Sequence, residues 1–237
     1  MRIVAWNLGH QTLERPLKAV LQPAIAALQP DVLVLNEFVD GPTRSTLRAA
    51  LRNQGLTHIR ASDRIGRHNQ VLIASTTELD DGSVSANGLD ETAASNFLSV
   101  TTGKPRIEIV GFRAPAYKTT KDNVRFWQAF DATIRPLATL PLLCIGDMNA
   151  DPNNVRSAGG KILAGLRTDG WEIPDPDGEW SFARKTVHTR IDHALASPQL
   201  RIAKATYCSM IGNLRCAGPE STLYDHAPLS VDVAAAS

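Results

Sequence analysis

The sequence is poor in cysteine and in aromatic residues, and it carries almost no net charge. Its 237 residues hold three cysteines, 5% aromatics and a formal charge of +1. Cys144, Cys208 and Cys216 are odd in number and show no Cys-x-x-Cys spacing, so the cysteines suggest neither a disulfide framework nor a thiolate zinc site. Cys144 falls in an apolar run and reads as a small buried hydrophobe, whereas a Cys208–Cys216 disulfide is compatible with the sequence and not required by it. The charge balance argues against a surface coated with positive charge for tight, nonspecific DNA binding, and it leaves room for a local basic cleft. No apolar run approaches the roughly 18 residues that suggest a membrane span. No basic and then apolar leader precedes the first strand signal, Arg2-Ile3-Val4-Ala5-Trp6-Asn7. No fixed-period repeat or low-complexity segment interrupts the chain. The expectation is a cytoplasmic protein that does not engage a membrane, and no protein partner is inferred.

What is present is a hydrophobic content of 43% with 21% charged residues, the balance of one soluble globular domain over residues 1–237. The periodicity predicts a helix over 14–28, with Pro16 suited to a first turn and Pro23 set to kink or divide it. A continuous apolar run, Val32-Leu33-Val34-Leu35, predicts a strand covered on both faces. Further helices are expected over 43–54, capped by Thr43 or Ser45 and stopped by Gly55, over 121–138 behind Thr119 or Thr120, and around 155–168. Strand signals recur at 57–61, 70–75, 97–100, 107–112, 142–145, 180–182, 190–197, 202–208 and 224–231, with an acidic, exposed excursion over 76–91. Many strands with helices interspersed, rather than strict alternation, predict two packed sheets with helices outside them.

The run Leu142-Leu143-Cys144-Ile145 stops at Gly146 and then presents Asp147, Asn149 and Asp151. Other apolar runs adjoin Asn7, Glu37, Asp192, Asp225 and His226 in the same way. Each of these has an ordinary reading as a turn residue, loop pair or surface ion pair, and Asp151 in particular reads as a turn or cap residue. Together, carboxylates with amides and one histidine suit a hard divalent cation and a phosphate ester, and the lack of ligand-spaced cysteines makes zinc a poor fit.

In order along the chain stand Trp6-Asn7, Asn36-Glu37, Gly146-Asp147-Met148-Asn149, Arg190-Ile191-Asp192 and Asp225-His226. This ordered set resembles the endonuclease/exonuclease/phosphatase superfamily, the deoxyribonuclease I-like metal-dependent phosphoesterases, and the resemblance spans nearly the whole chain. It implies an α/β (α+β) fold, a four-layer α/β/β/α sandwich with its site at one rim of two central sheets. It implies further that Glu37 ligates Mg²⁺, with Mn²⁺ able to substitute, that Asn7 lies beside it, and that Asp225 fits a second or alternative metal position. Asp147 would orient or deprotonate the attacking water, Asn149 would bind a phosphoryl oxygen or the nucleophile, and His226, paired with Asp192, would remain cationic.

The sequence departs from the family where it usually places His or Tyr: Arg113 stands there, and Ala116 replaces an Asn seen in abasic-site enzymes, which argues against that activity. Arg113 is expected to clamp a phosphate, with a plain ion pair as the competing reading. Tyr117, as a displaced aromatic, and Asn69 are further phosphate-binding candidates. Two basic runs, Arg60, Arg64, Arg67 and His68, and Arg184, Lys185, His188 and Arg190, are either groove walls for a polyanion or solvated loops. Trp171 and Trp180 are available for base stacking. The expected activity is Mg²⁺-dependent phosphodiester hydrolysis on DNA or RNA. The alternatives are a phosphatase or phosphodiesterase for a small or lipidic phosphoester and, from another class, a binding module that keeps the fold without catalysis.

Overall fold

The computed structural model describes every residue except 13, 14, 118, 219, 220, 222 and 237. The first half of the chain forms β1 (Arg2–Asn7), α1 (Leu21–Leu28), β2 (Val32–Phe38), α2 (Ser45–Asn53), β3 (His58–Ala61), β4 (Gln70–Ser75), β5 (Asp80–Asp81), α3 (Glu91–Ser95), β6 (Phe97–Thr102) and β7 (Ile107–Phe112). The second half forms α4 (Thr120–Ile134), β8 (Leu142–Asp147), α5 (Ala158–Thr168), β9 (Phe182–Arg184), β10 (Val187–Thr189), β11 (Asp192–Ala196), β12 (Leu200–Tyr207), β13 (Met210–Ile211), β14 (Leu214–Arg215) and β15 (Leu229–Ala235).

Two sheets carry the fold, one in the order β12-β15-β1-β2-β4-β3 and the other in the order β11-β8-β7-β6-β5. One core joins their facing sides, with Ile3, Val34, Ile73, Ile109, Ile145 and Val231 in contact. A second core packs Phe126, Trp127 and Phe130 of α4 and Leu163 of α5 on the outside of the smaller sheet, against Phe112, Leu142 and Cys144. The third packs Ile25 of α1 and Leu47 of α2 against Val4, Leu33 and Leu72 of the larger sheet. Central strands covered on both faces need continuous apolar runs, and this is why β2, β4, β7 and β8 are buried along their whole length. The four layers, helix, sheet, sheet, helix, are those expected.

Several boundaries differ from expectation. Helix α1 is shorter than the predicted 14–28, beginning only at Leu21, and residues 13 and 14 of that prediction lie outside the described residues. Pro23 therefore falls in the first turn, where its missing N–H costs nothing, and no kink is required. Residues Pro42–Arg44 form a 3₁₀ turn ahead of α2, which has no side-chain cap from Ser45. Thr119 caps α4 by accepting from Asp122 N at 3.1 Å, as anticipated. The short hairpin of β9 and β10 had only its first strand foreseen. Asp225 and His226 do not close a strand: β15 begins after them, at Leu229.

Candidate active site

Strands β1 and β2 are parallel, as are β7 and β8, so Asn7, Glu37 and Asp147 arrive at their strands' C-terminal ends. Strand β11 is antiparallel to β8 with Asp192 opposite Asp147, and β15 is antiparallel to β1 with Leu229 opposite Ala5. A residue that opens an antiparallel strand shares a rim with one that closes its partner. Asp192 and the segment preceding β15 are thereby delivered to the same edge as the other three.

Local backbone features aim the side chains. The pairing of β2 with β4 slips between Leu35 and Phe38, and Glu37 within that bulge has φ 54°. Asn149 has φ 45°. Left-handed backbone at two non-glycine residues costs of the order of 1–3 kcal/mol each and concentrates where geometry serves a site. Gly146 is required for a different reason. Its φ is 144°, and a Cβ there would lie 2.1 Å from Phe112 O and 2.6 Å from Asn36 Oδ1. Gly146→Ala is accordingly expected to cost about 3 kcal/mol or more in a denaturant titration, as backbone crowding with no room to relax. A loss below 1 kcal/mol would mean that the β7–β8 edge yields easily.

The polar groups form one connected set. His226 Nδ1 donates to Asp192 Oδ2 at 2.8 Å, and both residues are buried. Burial alone would lower the imidazole's pKa, but Asp192, with help from Asp147 and Asp225, raises it to about 10, so His226 is a cation at neutral pH. Asn7 Nδ2 donates to Asp147 Oδ2 at 2.9 Å, while Asn149 donates to the same carboxylate from its backbone N at 3.0 Å and from Nδ2 at 3.2 Å. Burial pushes Asp147 up to about 6, against the lowering effect of His226 and Arg113. Glu37 Oε1 lies 2.7 Å from Arg113 Nε, which stands 3.5 Å from Asp147 Oδ2. His10 holds Glu37 Oε2 through its backbone N, with its Nδ1 at 3.3 Å. Asn69 Nδ2 donates to the Glu37 carbonyl at 3.2 Å.

The site-residue expectations are thus brought together unevenly. Asn7 faces Asp147, to which its Nδ2 donates, and its Oδ1 accepts from Gly9 N at 2.9 Å. Arg113 takes up the ion-pair alternative, largely buried and set between the carboxylates of Glu37 and Asp147. Asp225 lines a side cavity next to Gly9 and His10 instead of joining the Asp147, Asp192 and His226 group. Tyr117 turns its hydroxyl to Asp90 Oδ2 at 2.5 Å and its ring to Phe126. Trp171 is buried in the α4–α5 core and offers no stacking face, because its apolar area is worth more there. Asp151 forms a turn, accepting from Asn153 N at 2.8 Å.

Sequence reading missed the supports. The Ser181 hydroxyl accepts from Ile191 N and Asp192 N at 2.9 and 3.0 Å, Tyr207 donates to Asp192 O at 2.8 Å, and Trp6 Nε1 donates to His226 O at 2.9 Å. Phe182 sets its ring edge-on to His226 at 5.0 Å, and Asn36 Oδ1 accepts from Asp147 N at 3.2 Å. Trp6 and Asn36 adjoin marker residues, which was a usable signal. Ser181, Phe182 and Tyr207 carried none, because their role exists only through contacts distant in sequence.

The residues fit a divalent cation. Glu37, Asp147 and Asp192 are three buried carboxylates facing two cations, Arg113 and His226, and the negative charge left over in a buried site calls for a further positive group. Ligand atoms of Asp147, Asp192 and His226 lie within 4.8 Å of one another, yet a protonated His226 cannot ligate, which leaves oxygen donors.

Carboxylates, amides and a buried imidazolium gathered at one rim of a four-layer sandwich define a hydrolytic phosphoesterase. The chain belongs to the Endonuclease/Exonuclease/phosphatase family, whose pattern it matches over residues 4–209, and it is a metal-dependent phosphoesterase. No curated protein matches it. Among solved structures it is similar to the 3'-5' exonuclease (NExo) from Neisseria meningitidis, at 19% identity and TM-score 0.70, covering 98% of this chain and 99% of that one. A Neisseria 3' phosphatase NExo bound to product DNA hairpin aligns at 19% identity and TM-score 0.65, covering 98% of each chain. The human Nocturnin catalytic domain with bound sulfate anion aligns at 18% identity and TM-score 0.63, covering 100% of this chain and 94% of that one.

Proposed function

We propose that the chain is a Mg²⁺-dependent phosphodiesterase, a nuclease that hydrolyses DNA or RNA by in-line attack of an activated water. The carrying observation is the buried Asp192–His226 pair at 2.8 Å, set beside an Asp147 whose carboxylate is oriented by Asn7 and Asn149. Family neighbours include an exonuclease and a phosphatase bound to a DNA product, which supports a nucleic-acid substrate.

In this reading Asp147 takes a proton from the attacking water as the water oxygen bonds to phosphorus and the bridging P–O bond breaks, and the leaving oxygen takes a proton from a solvent water. Asn149, fixed by donating to Ala114 O at 2.7 Å, steadies the Asp147 carboxylate. His226, its Nδ1–H committed to Asp192, directs Nε2–H at a non-bridging oxygen, where charge accumulates in the transition state. Glu37 would hold Mg²⁺, with Asp147 as its neighbour and Asp225 a second, more remote candidate; Mn²⁺ would fit the same oxygens. The ion, when bound, supplies neutralisation of phosphate charge. Asn69 backs Glu37 by donating to its carbonyl. The three free cysteines fit a reducing, cytoplasmic setting.

The test is cleavage of plasmid DNA, structured RNA and bis-p-nitrophenyl phosphate with Mg²⁺, Mn²⁺ or EDTA. Metal-dependent cleavage of a nucleic acid supports the reading. Turnover of the small diester alone would move the substrate to small or lipidic phosphoesters, and inertness toward all three would favour a binding module.

Arg113 supplies a separate prediction. Its guanidinium shares Glu37 with any incoming cation, so Arg113→Ala should tighten Mn²⁺ binding about fivefold in calorimetry without substrate, the size of one like-charge repulsion of about 1 kcal/mol. Weaker Mn²⁺ binding would show instead that Arg113 preorganises Glu37.

A further inference from the structure

A cavity of about 500 Å³ opens beside the carboxylate and imidazole cluster. Its walls include Gly9, His10, Arg15, Arg184, Lys185 and Asp225. Two of these touch the site directly: His10 lies on Glu37, and Asp225 immediately precedes His226. Arg15, Arg184 and Lys185 bring three fixed positive charges against the one carboxylate of Asp225 among the described lining residues. One of the two sequence-singled basic runs is thereby resolved. Arg190 is consumed structurally by Asp175 and the Tyr207 ring and His188 by stacking on Trp180, whereas Arg184 and Lys185 are exposed at the cavity wall.

The placement of these cations is built into the fold. Strands β9 and β10 pair as a hairpin, with Phe182 opposite Thr189 and Arg184 opposite Val187, and Lys185 starts its turn at φ 55°. The hairpin is stitched to the His226 segment, because Ala183 N donates to Asp225 O at 2.8 Å and the Phe182 ring meets His226. On the opposite wall Arg15 is held over the Gly9 turn, donating to Gly9 O at 2.8 Å. A hairpin that shapes the imidazole's surroundings through Phe182 and Ala183 thus also carries two exposed cations on the cavity wall.

We propose that this cavity is a subsite for the phosphate next to the scissile one, so that the preferred substrate is an oligonucleotide with at least two phosphates and not a phosphomonoester. The proposal rests on the nuclease reading. Its volume falls in the range of small-ligand pockets, and cations in a concave wall focus attraction on a polyanion.

The test compares wild type with Arg184→Ala/Lys185→Ala and with a charge-matched control, Arg201→Ala/Lys204→Ala, on the exposed face of β12. Each is assayed on a short oligonucleotide and on bis-p-nitrophenyl phosphate, which has no flanking phosphate. The hairpin variant should lower the ratio of kcat/KM for oligonucleotide over small diester about 10-fold or more, and should flatten the dependence of log KM on log salt by about one to two units. The control should leave both readings at wild-type values. An unchanged ratio in the hairpin variant, or an equal fall in the control, would overturn the subsite while leaving the nuclease reading intact. A wild type that turns over the small diester and no oligonucleotide would overturn both.

Discussion

His226→Gln is expected to lower kcat by about 10³-fold, a loss of about 4 kcal/mol of transition-state stabilisation, with little change in KM. The imidazolium is held at neutral pH by Asp192, and a neutral amide in its place offers a hydrogen bond without the charge. A variant within tenfold of wild type would remove the imidazolium from the mechanism. Stability should move as well. Because the pKa is raised from 6.5 to about 10, the folded chain holds this proton more tightly than the unfolded chain does. The pair's stabilisation is then complete below about pH 6.5 and is lost as pH rises through about 10. Melting temperatures across that window should fall for wild type and stay comparatively flat for His226→Gln. The variant should be less stable at neutral pH by about 3 kcal/mol, since Asp192 keeps its burial without a cation.

Asp147→Asn should be at least as damaging, lowering kcat by about 10³- to 10⁴-fold, the range for a positioned general base. Its effect on the pH profile separates the two roles. Burial raises Asp147 to about 6, so wild-type activity should fall on the acid side at or below that value as the carboxylate protonates and can no longer accept a proton from water. A bound cation moves this limb lower still, by favouring the ionised form. The residual rate of Asp147→Asn should show no such limb between pH 5 and 7. Its stability change should be small, because two effects oppose each other. The variant no longer buries a charge, but its new NH₂ group meets donors, Asn7 Nδ2 and Asn149 Nδ2 on one oxygen and Asn149 N on the other. An unaltered acid limb in the variant would assign that titration to another group.

The marker residues were legible because buried strands must be apolar throughout, which makes any polar group at their margins conspicuous. Glu37, Asp147, Asn149, Asp192 and His226 stood out as candidates that way, the family resemblance gave them expected roles, and the structure brings them to one rim. The same logic over-reached at Asp225, whose neighbours in sequence gave no sign that its side chain leaves the cluster for the adjoining cavity. It also over-reached at Tyr117, whose hydroxyl binds Asp90, 27 residues away in sequence. Asn7 stands at the rim, and its hydrogen bond to Asp147 is a matter of rotation about one side chain that no local pattern encodes.

Local chemistry by itself determined most element types, the two-sheet architecture and a set of polar candidates at strand ends, because apolar periodicity and strand-end polarity act over a few residues. Their order along the chain, through the family resemblance, attached phosphoester chemistry to them. The pairing pattern decided the rest. Only the antiparallel register puts Asp192 opposite Asp147, only the bulge in β2 turns Glu37 toward Arg113, and only the stitching of the β9–β10 hairpin to Asp225 brings Arg184 and Lys185 to the cavity that Asp225 lines. Those contacts join segments tens of residues apart in the sequence, and their free energy comes from burial and hydrogen bonds that exist once both sheets have closed on one core.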